Sequence, residues 1–189
     1  MKFIHPSAHL DEGAEIGEGT KIWHGSHVMG SAAIGTDCTL GQNVFIGSRV
    51  SIGNRVKIQN NINVYEGVII EDEVFLGPSM TFTNIINPRS GVERKTEYKA
   101  TVIEKGASIG AGACIVCGTK IGMYSFVGAG AVVTKDILPY QLVVGNPAKP
   151  IGWMSKRGIR LGFDHAGNAT CPESGDAYKL TNGRLELVE

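Results

Sequence analysis

Apolar residues recur at every sixth position over most of this chain. The period runs without a break from Ile4 to Phe82, and it resumes from Ile103 to Val133. Because only 42% of the residues are hydrophobic, chance does not explain fourteen successive matches in the first run. An α-helix has a period of 3.6 residues and an ordinary strand a period of 2, so neither produces this spacing. Hexads of this kind predict a parallel β-helix in which three hexads, or about 18 residues, form one coil.

The residues next to each apolar position also repeat. A small or β-branched residue stands two positions before it, as in Ala14, Thr20 and Ser26, and glycine often follows it. We therefore predict that the large and the small residue both point inward, and that the glycine adopts the backbone angles of a corner. The two runs contain twenty hexads, which is nearly seven coils. The glycines concerned are Gly17, Gly35, Gly41, Gly47, Gly53, Gly77, Gly110, Gly122 and Gly128.

One polar segment interrupts the hexads. The distance from Phe82 to Ile103 exceeds the expected spacing by more than two hexads, and the segment between them is rich in charged side chains. Long loops inside a compact repeat usually have a function. We therefore predict a β-helix over residues 1–137 with an inserted functional loop at 84–100, the alternative being a solvated loop without a role.

The remaining residues, 138–189, are predicted to form an appendage outside the β-helix. It begins with an irregular exit loop, and a short helix is expected at 151–161. Two runs with strand character flank Asn182-Gly183, which is a favourable hairpin turn. The predicted fold class is thus all-β, with a small C-terminal helix and hairpin.

Composition excludes several classes of function. The 18 Lys and Arg residues balance 18 Asp and Glu residues, and a chain without net charge is not expected to bind nucleic acid or an anionic membrane surface. No apolar run approaches the ~18–20 residues that span a bilayer, and the first residues lack the apolar stretch of a signal peptide. With four cysteines and no export signal, we predict a cytoplasmic protein with reduced thiols.

Several motifs resemble those of a known enzyme family. The run Gly145-Asn146-Pro147-Ala148-Lys149 is similar to the exit loop of hexapeptide-repeat acetyltransferases. The triplet Gln59-Asn60-Asn61, the run from Gly77 to Asn84, and Asn87-Pro88-Arg89 together resemble the sugar N-acetyltransferases of the WbpD/WlbB type. The resemblance covers about residues 1–160.

The resemblance implies a left-handed β-helix, acetyl-CoA as cosubstrate, and a homotrimer with active sites between subunits. It also implies acetylation of the 3-amino group of UDP-2-acetamido-3-amino-2,3-dideoxy-glucuronate in lipopolysaccharide O-antigen biosynthesis. Three alternatives remain: a dTDP-3-amino-deoxyhexose as acceptor, an O-acetyltransferase reaction, and a β-helix scaffold or binding subunit without catalysis.

The residues themselves favour an amine as the acceptor. Transfer to a hydroxyl needs a general base, usually histidine, yet no histidine lies between residues 28 and 164. An amine with the pKa of an α-amino group, ~7.7–8.0, is partly neutral at pH 7 and needs positioning more than deprotonation. Residues one coil apart stack in a column, which brings Ser48, Glu66 and Asn84 together. We predict that Asn84 orients the amine, and that Glu66, the departing thiolate or water takes its proton.

Coenzyme A is expected along the last coils and the exit loop. Backbone N–H groups of Gly110, Gly128 and Ala129 are candidates to polarise the thioester oxygen. The phosphates of coenzyme A are expected near Lys149, or near Lys156 and Arg157. The predicted cofactor-binding residues are Gly110, Cys117, Gly128, Ala129, Asn146, Pro147 and Lys149.

The sugar nucleotide is expected near the loop and the early corners. Arg89 and Lys95 suit an anionic substrate, because arginine binds carboxylates and phosphates well, although surface solvation is an equal alternative. His24 and His27 are close in sequence but have no matching third ligand, so no metal site is predicted. The predicted substrate-binding residues are His24, Asn60, Asn61, Tyr65, Asn87, Arg89 and Lys95.

Overall fold

Short parallel strands stack into the three faces of the molecule, and the second face consists of two sheets, one of its first four strands and one of its last three. The computed structural model describes residues 1–188, without the side chain of Lys95. The first face contains β1 (Phe3–Ile4), β4 (Lys21–Ile22), β7 (Thr39–Leu40), β10 (Lys57–Ile58), β13 (Phe75–Leu76), β16 (Ser108–Ile109), β19 (Phe126–Val127) and β21 (Gln141–Val144). The second contains β2 (His9–Leu10), β5 (His27–Val28), β8 (Phe45–Ile46), β11 (Asn63–Val64), β14 (Thr81–Phe82), β17 (Cys114–Ile115) and β20 (Val132–Val133). The third contains β3 (Glu15–Ile16), β6 (Ala33–Ile34), β9 (Ser51–Ile52), β12 (Val68–Ile70), β15 (Thr101–Ile103) and β18 (Lys120–Ile121).

Neighbouring strands within a face are one coil apart. Phe3 pairs with Lys21, and Lys21 pairs with Thr39, so each coil spans three hexads, as the sequence period predicts. Across the loop Phe75 pairs with Ser108, so this coil is almost twice as long as the others, and the excess lies in the inserted loop. Eight parallel strands on the first face make seven coils and the start of an eighth. The predicted parallel β-helix is confirmed, and its architecture is consistent with the left-handed form.

The interior is filled by the two inward residues of each hexad. Large residues such as Ile22 and Ile46 are fully buried, and so are small ones such as Ala32. Where the small residue is polar it is hydrogen-bonded, as in Thr20, whose Oγ1 donates to the carbonyl of Gly35 at 2.8 Å. This arrangement confirms the predicted inward orientation of both positions.

The glycines that follow the apolar residues do not have the predicted role. None of the nine, all within residues 1–188, has a positive φ. Instead, a Cβ added at Gly17 would lie 2.4 Å from the carbonyl carbon of Gly35 in the next coil. Glycine is needed at these positions because the backbones of successive coils approach each other closely. The corner residue with left-handed backbone angles lies two positions after each of these glycines. Many left-handed corners of the β-helix are occupied by residues other than glycine, namely Ser31, Asp37, Asn43, Arg49, Arg55, Asn61, Glu73, Ser79 and Tyr124.

The helix predicted at residues 151–161 is wrong. The chain forms strand β22 (Lys149–Trp153), which pairs antiparallel with β21. Gly152 and Gly158 lie in this segment, and each disfavours a helix by ~1 kcal/mol relative to alanine, whereas the edge of β21 satisfies the backbone of β22. The one helical turn among residues 1–188 is the 3-10 turn Lys95–Glu97. Accordingly, the described residues contain no helix with the length and apolar character needed to cross a membrane.

The tail ends in a small antiparallel sheet. Its strands are β23 (Asn168–Thr170), β24 (Ala177–Thr181) and β25 (Arg184–Val188), so the hairpin predicted around Asn182-Gly183 is confirmed. Tyr140 from the last coil packs against Tyr178 of this sheet, with ring centroids 5.8 Å apart. Burial there raises the pKa of Tyr140 to about 12. The division of the chain at residue 137 stays a prediction.

Candidate functional site

The second face leads to the corner where the inserted loop begins. After β14, the N–H of Thr83 still donates to the carbonyl of Ile115 at 3.1 Å, so the regular ladder extends up to Asn84. Asn84 is half-buried. Its carbonyl accepts the N–H of Lys99 at 3.2 Å. The loop therefore leaves and rejoins the β-helix at one point, next to Asn84.

The strand register agrees with the predicted column for Ser48 and Glu66, whereas the neighbourhood of Glu66 and Asn84 stays a prediction, because β11 and β14 belong to different sheets. Strands β8 and β11 pair one coil apart, which places Ser48 beside Glu66, and β11 lies beside β14. Glu66 is half-buried and forms an ion pair with the guanidinium of Arg49. A carboxylate held by a cation is thus one coil away from Asn84.

Cys117 lies on the other side of Asn84. The register between β14 and β17 places these two residues in adjacent coils, as predicted. The N–H of Cys117 donates to Oγ1 of Thr83 at 2.9 Å, and the residue is buried. A contact with coenzyme A would therefore involve the surroundings of Cys117 more than its thiol.

The exit loop returns to the second face. The carbonyl of Gly145 accepts the N–H of Val132 at 3.0 Å, and the N–H of Ala148 donates to the carbonyl of Val132 at 2.8 Å. The loop thus continues the row β14, β17 and β20, three coils or about 14 Å beyond Asn84. The predicted cofactor-binding residues on this loop are exposed, namely Asn146, Pro147 and Lys149.

Two of the three predicted thioester contacts are already engaged within the chain. The N–H of Gly110 donates to the carbonyl of Val127, and that of Gly128 donates to the carbonyl of Val143, both at 2.8 Å. These groups belong to the ladder between coils and already have backbone acceptors, which argues against their contact with a thioester oxygen, and a role of Gly110 and Gly128 in cofactor binding stays a prediction. Ala129 is exposed on the same corner and stays a prediction.

Three predicted substrate residues lie on the opposite edge of the second face. They follow strands of the first face, whereas Asn84 follows a strand of the second. The ring of His24 stacks on His5 with centroids 3.6 Å apart. The Oδ1 atom of Asn60 accepts the N–H of Gln42 at 2.8 Å. Within one chain the structure does not bring this group to Asn84; its members are His24, Asn60 and Asn61.

The other predicted substrate residues lie near the loop. Tyr65 is half-buried beside Glu66 and packs against the core. Asn87 and Arg89 are exposed on the loop itself. The side chain of Lys95 lies outside the described residues. Tyr65 follows a strand of the second face, as Asn84 does, whereas the others belong to the loop that begins at Asn84, and their contacts with substrate stay predictions.

Two cations, one paired with Glu66 and one bonded to Asn84, were not found from the sequence. One is Arg49, the partner of Glu66. The other is Lys99, whose aliphatic stem lies over the next coil: a Cβ added at Gly118 would be 3.1 Å from its Cδ. The hydrogen bond from the backbone N–H of Lys99 to the carbonyl of Asn84 holds Lys99 at the base of the loop. The proximity of Lys99 to Asn84 could not be predicted from the spacing of the hexads, because that spacing does not show where an inserted loop returns to the β-helix.

Lys156 and Arg157, the alternative phosphate contacts, lie elsewhere. They line a cavity of 230 Å³ with Glu73 and Tyr124, at the corner between the third and first faces. The Nζ atom of Lys156 is 5.8 Å from the centroid of the Tyr124 ring. This pair is therefore separate from the second-face site.

Comparison with known proteins agrees with this architecture. Residues 13–48 and 100–135 match the family described as bacterial transferase hexapeptide (six repeats). Residues 32–66 match the hexapeptide repeat of succinyl-transferase. All of these matched segments lie within the β-helix domain. Among solved structures, this domain is similar to a hexapeptide transferase family protein from Anaplasma phagocytophilum, at 19% identity and a TM-score of 0.58 over 83% of this chain and 81% of that one. That likeness concerns the fold alone.

Similar proteins with curated names include acetyltransferases. The dTDP-3-amino-3,6-dideoxy-alpha-D-galactopyranose 3-N-acetyltransferase of Aneurinibacillus thermoaerophilus is 43% identical over 86 residues, 46% of this chain and 44% of that protein. A serine acetyltransferase of Buchnera aphidicola is 40% identical over 46% of this chain and 31% of its own length. The chain therefore spans less than half of the length of these relatives. The acetyltransferase domain of PglB from Neisseria gonorrhoeae, solved in complex with acetyl coenzyme A, is 26% identical with a TM-score of 0.52, over 79% of this chain and 57% of that one.

Proposed function

We propose that this chain is an acetyl-CoA-dependent N-acetyltransferase that acetylates the 3-amino group of a nucleotide-linked amino sugar. One observation carries the proposal. A half-buried Asn84, an ion-paired Glu66 and the exposed exit loop share one face of the β-helix. The similarity to a sugar 3-N-acetyltransferase over 86 residues supports the same reaction.

The proposed reaction needs positioning more than strong base catalysis. The neutral amine attacks the thioester carbon, a C–N bond forms, and the C–S bond breaks to release the thiolate. Asn84 holds the amine by a hydrogen bond to its side-chain amide. The surplus proton of the attacking nitrogen passes to the departing thiolate, to water or to Glu66. Arg49 keeps the carboxylate of Glu66 beside the amine.

The acceptor is proposed to be UDP-2-acetamido-3-amino-2,3-dideoxy-glucuronate, of lipopolysaccharide O-antigen biosynthesis. Exposed Arg89 on the loop suits its carboxylate. The second candidate is a dTDP-3-amino-6-deoxyhexose, which the similarity to the Aneurinibacillus enzyme favours. A homotrimer accounts for the position of His24, Asn60 and Asn61, which contact the substrate of a neighbouring subunit in this proposal. The cytoplasm as location belongs to the same proposal.

The function is tested by release of free thiol from acetyl-CoA. The acceptors are the UDP-linked amino uronate, the dTDP-linked amino deoxyhexose, and analogues of both with a 3-hydroxyl in place of the amine. We expect turnover with one amino sugar and none with the hydroxyl analogues. Saturating acetyl-CoA should also raise the melting temperature, since a ligand of the folded state stabilises it.

Three results would contradict the proposal in different ways. A melting temperature that does not respond to acetyl-CoA would support the alternative of a β-helix scaffold without catalysis. Turnover with the hydroxyl analogues supports an O-acetyltransferase. A thermal response to acetyl-CoA without turnover on either amino sugar would contradict the proposed acceptors, but it would still support acetyl-CoA as the cosubstrate.

Replacing Lys99 by methionine should raise the KM of one anionic substrate severalfold with little change in kcat. The aliphatic stem that packs over Gly118 is kept, so only the charge next to Asn84 is lost. Exposed charge interactions contribute about 0.2–1 kcal/mol, which limits the effect. Separate titrations of acetyl-CoA and of the sugar nucleotide show which substrate Lys99 contacts.

Lys57→Met is the matched control, because Lys57 is exposed on β10 of the first face. We expect wild-type kinetics from it. Equal KM values for Lys99→Met and the wild type, with both substrates, would show that the ammonium group does not take part in binding.

A further inference from the structure

Three potential metal ligands converge at the first two coils. The Nε2 atom of His27 is 2.9 Å from Oδ1 of Asp11, and the Nε2 atom of His9 is 3.1 Å from the same oxygen. One ligand atom from each residue lies within 4.8 Å of the others. In the sequence, His24 and His27 were considered together as possible metal ligands, whereas in the structure the ring of His24 stacks on His5.

The β-helix produces this cluster through the register between successive coils. His9 and His27 are directly paired across β2 and β5, so both imidazoles project from the second face one above the other. Their ring centroids are 5.1 Å apart, and the ring of Phe45 packs against His27 on its other side at 5.7 Å. Asp11 also lies against the second coil, since a Cβ added at Gly30 would be 3.8 Å from the Cβ of Asp11. Two of the three side chains are therefore held in place by neighbours.

The distances suit a tetrahedral metal ion. Zinc binds histidine nitrogen and carboxylate oxygen at about 2.0–2.2 Å, which places the ligand atoms of a tetrahedral site roughly 3.3 Å apart. The two His–Asp separations, 3.1 and 2.9 Å, differ from that spacing by a few tenths of an ångström, and the ligand atoms of the two histidines lie within 4.8 Å of each other. Two imidazoles and one carboxylate form a donor set typical of zinc, with water as the fourth ligand.

We propose that His9, Asp11 and His27 bind one Zn²⁺ ion that connects the first coil to the second. The first coil is the open end of the β-helix, and Phe3 and Ile4 are each 41% exposed there. It has a neighbouring coil on one side only, so less apolar burial holds it. A metal ion with ligands on both coils stabilises this end against local unfolding.

Zinc binding is measured by calorimetry on the full chain, with Zn²⁺ in a buffer that does not chelate metals. We expect one ion per chain and a melting temperature that rises with Zn²⁺ concentration. Asp11→Asn and His27→Gln should each weaken binding at least about tenfold and abolish the thermal response. His9→Gln serves as a further test, since His9 is 75% exposed and its replacement does not disturb the core.

Two controls separate this site from the other ligands of the chain. His165→Gln removes an exposed histidine in the tail and should bind Zn²⁺ like the wild type. The cobalt-substituted protein should show ligand-field bands without thiolate-to-metal charge transfer, because no cysteine takes part. Equal affinities in all variants, thiolate bands, or no saturable binding below about 1 mM Zn²⁺ would overturn the proposal. None of these measurements depends on acetyl transfer.

Discussion

Replacing Asn84 by alanine should lower kcat about 100-fold and leave measurable acetyl transfer. Asn84 positions the amine but does not accept its proton, and misplacing a reactant by about 1 Å costs on the order of 10²-fold. The proton still has other acceptors, so the reaction does not stop. Because Asn84 is half-buried at a corner and not in the core, the variant should fold normally. The measurement is steady-state thiol release, with circular dichroism as the check on folding.

Asn182→Gly provides the control for this prediction. It removes an exposed amide from the hairpin turn, where φ is 51° and glycine fits without strain. We expect unchanged kcat and KM. Wild-type turnover in Asn84→Ala would refute the proposed role of the amide. Complete loss of activity in a folded Asn84→Ala protein would instead point to a direct part in the chemistry.

Replacing Gly35 by alanine should lower the free energy of unfolding by about 3 kcal/mol, at the upper end of the usual cost of overpacking. An added Cβ would lie 2.5 Å from the carbonyl oxygen of Gly53 in the next coil. Backbone atoms of a regular stack cannot move aside singly, since each is fixed by ladder hydrogen bonds to coils on both sides. For a chain of 189 residues this corresponds to a fall in melting temperature of about 6–12 °C.

Gly162→Ala is the matched substitution. A Cβ at Gly162 meets no atom within 4 Å, and its φ lies outside the left-handed region. We expect an unchanged or slightly higher melting temperature, because alanine reduces the entropy of the unfolded chain. Thermal unfolding of both variants by circular dichroism decides the matter. Similar melting temperatures for Gly35→Ala and Gly162→Ala would mean that coil contacts at the glycines are not tight.

Much of the β-helix could be predicted because its period is short and local. The constant length of a coil places Ser48 beside Glu66, and a constant offset places Asn84 beside Cys117 even across the loop. These neighbours follow from counting hexads, since every regular coil contains three of them. The same regularity made the insertion visible before its position in space was known.

Features that depend on side-chain packing were less predictable. The regular spacing of the hexads does not distinguish a glycine needed for its backbone angles from one needed for close approach, and Gly17 proved to be of the second kind. The backbone hydrogen bonds of Gly110 and Gly128 likewise depend on the next coil, so the spacing of the hexads alone did not show that these N–H groups have acceptors. The helix expected at 151–161 was displaced by pairing with the edge of β21, a partner that local sequence does not reveal.

By itself, the sequence determined that the chain coils into a parallel β-helix, where the coils are interrupted, and that Asn84 and Cys117 occupy adjacent coils at the interruption. It did so because an unbroken period of six allows one way of burying its apolar positions. Only the tertiary structure decided that Lys99 returns to Asn84, that the exit loop lies on the same face, and that His27 meets His9 and Asp11. Those neighbours depend on where loops close and how side chains turn, which packing between distant residues controls.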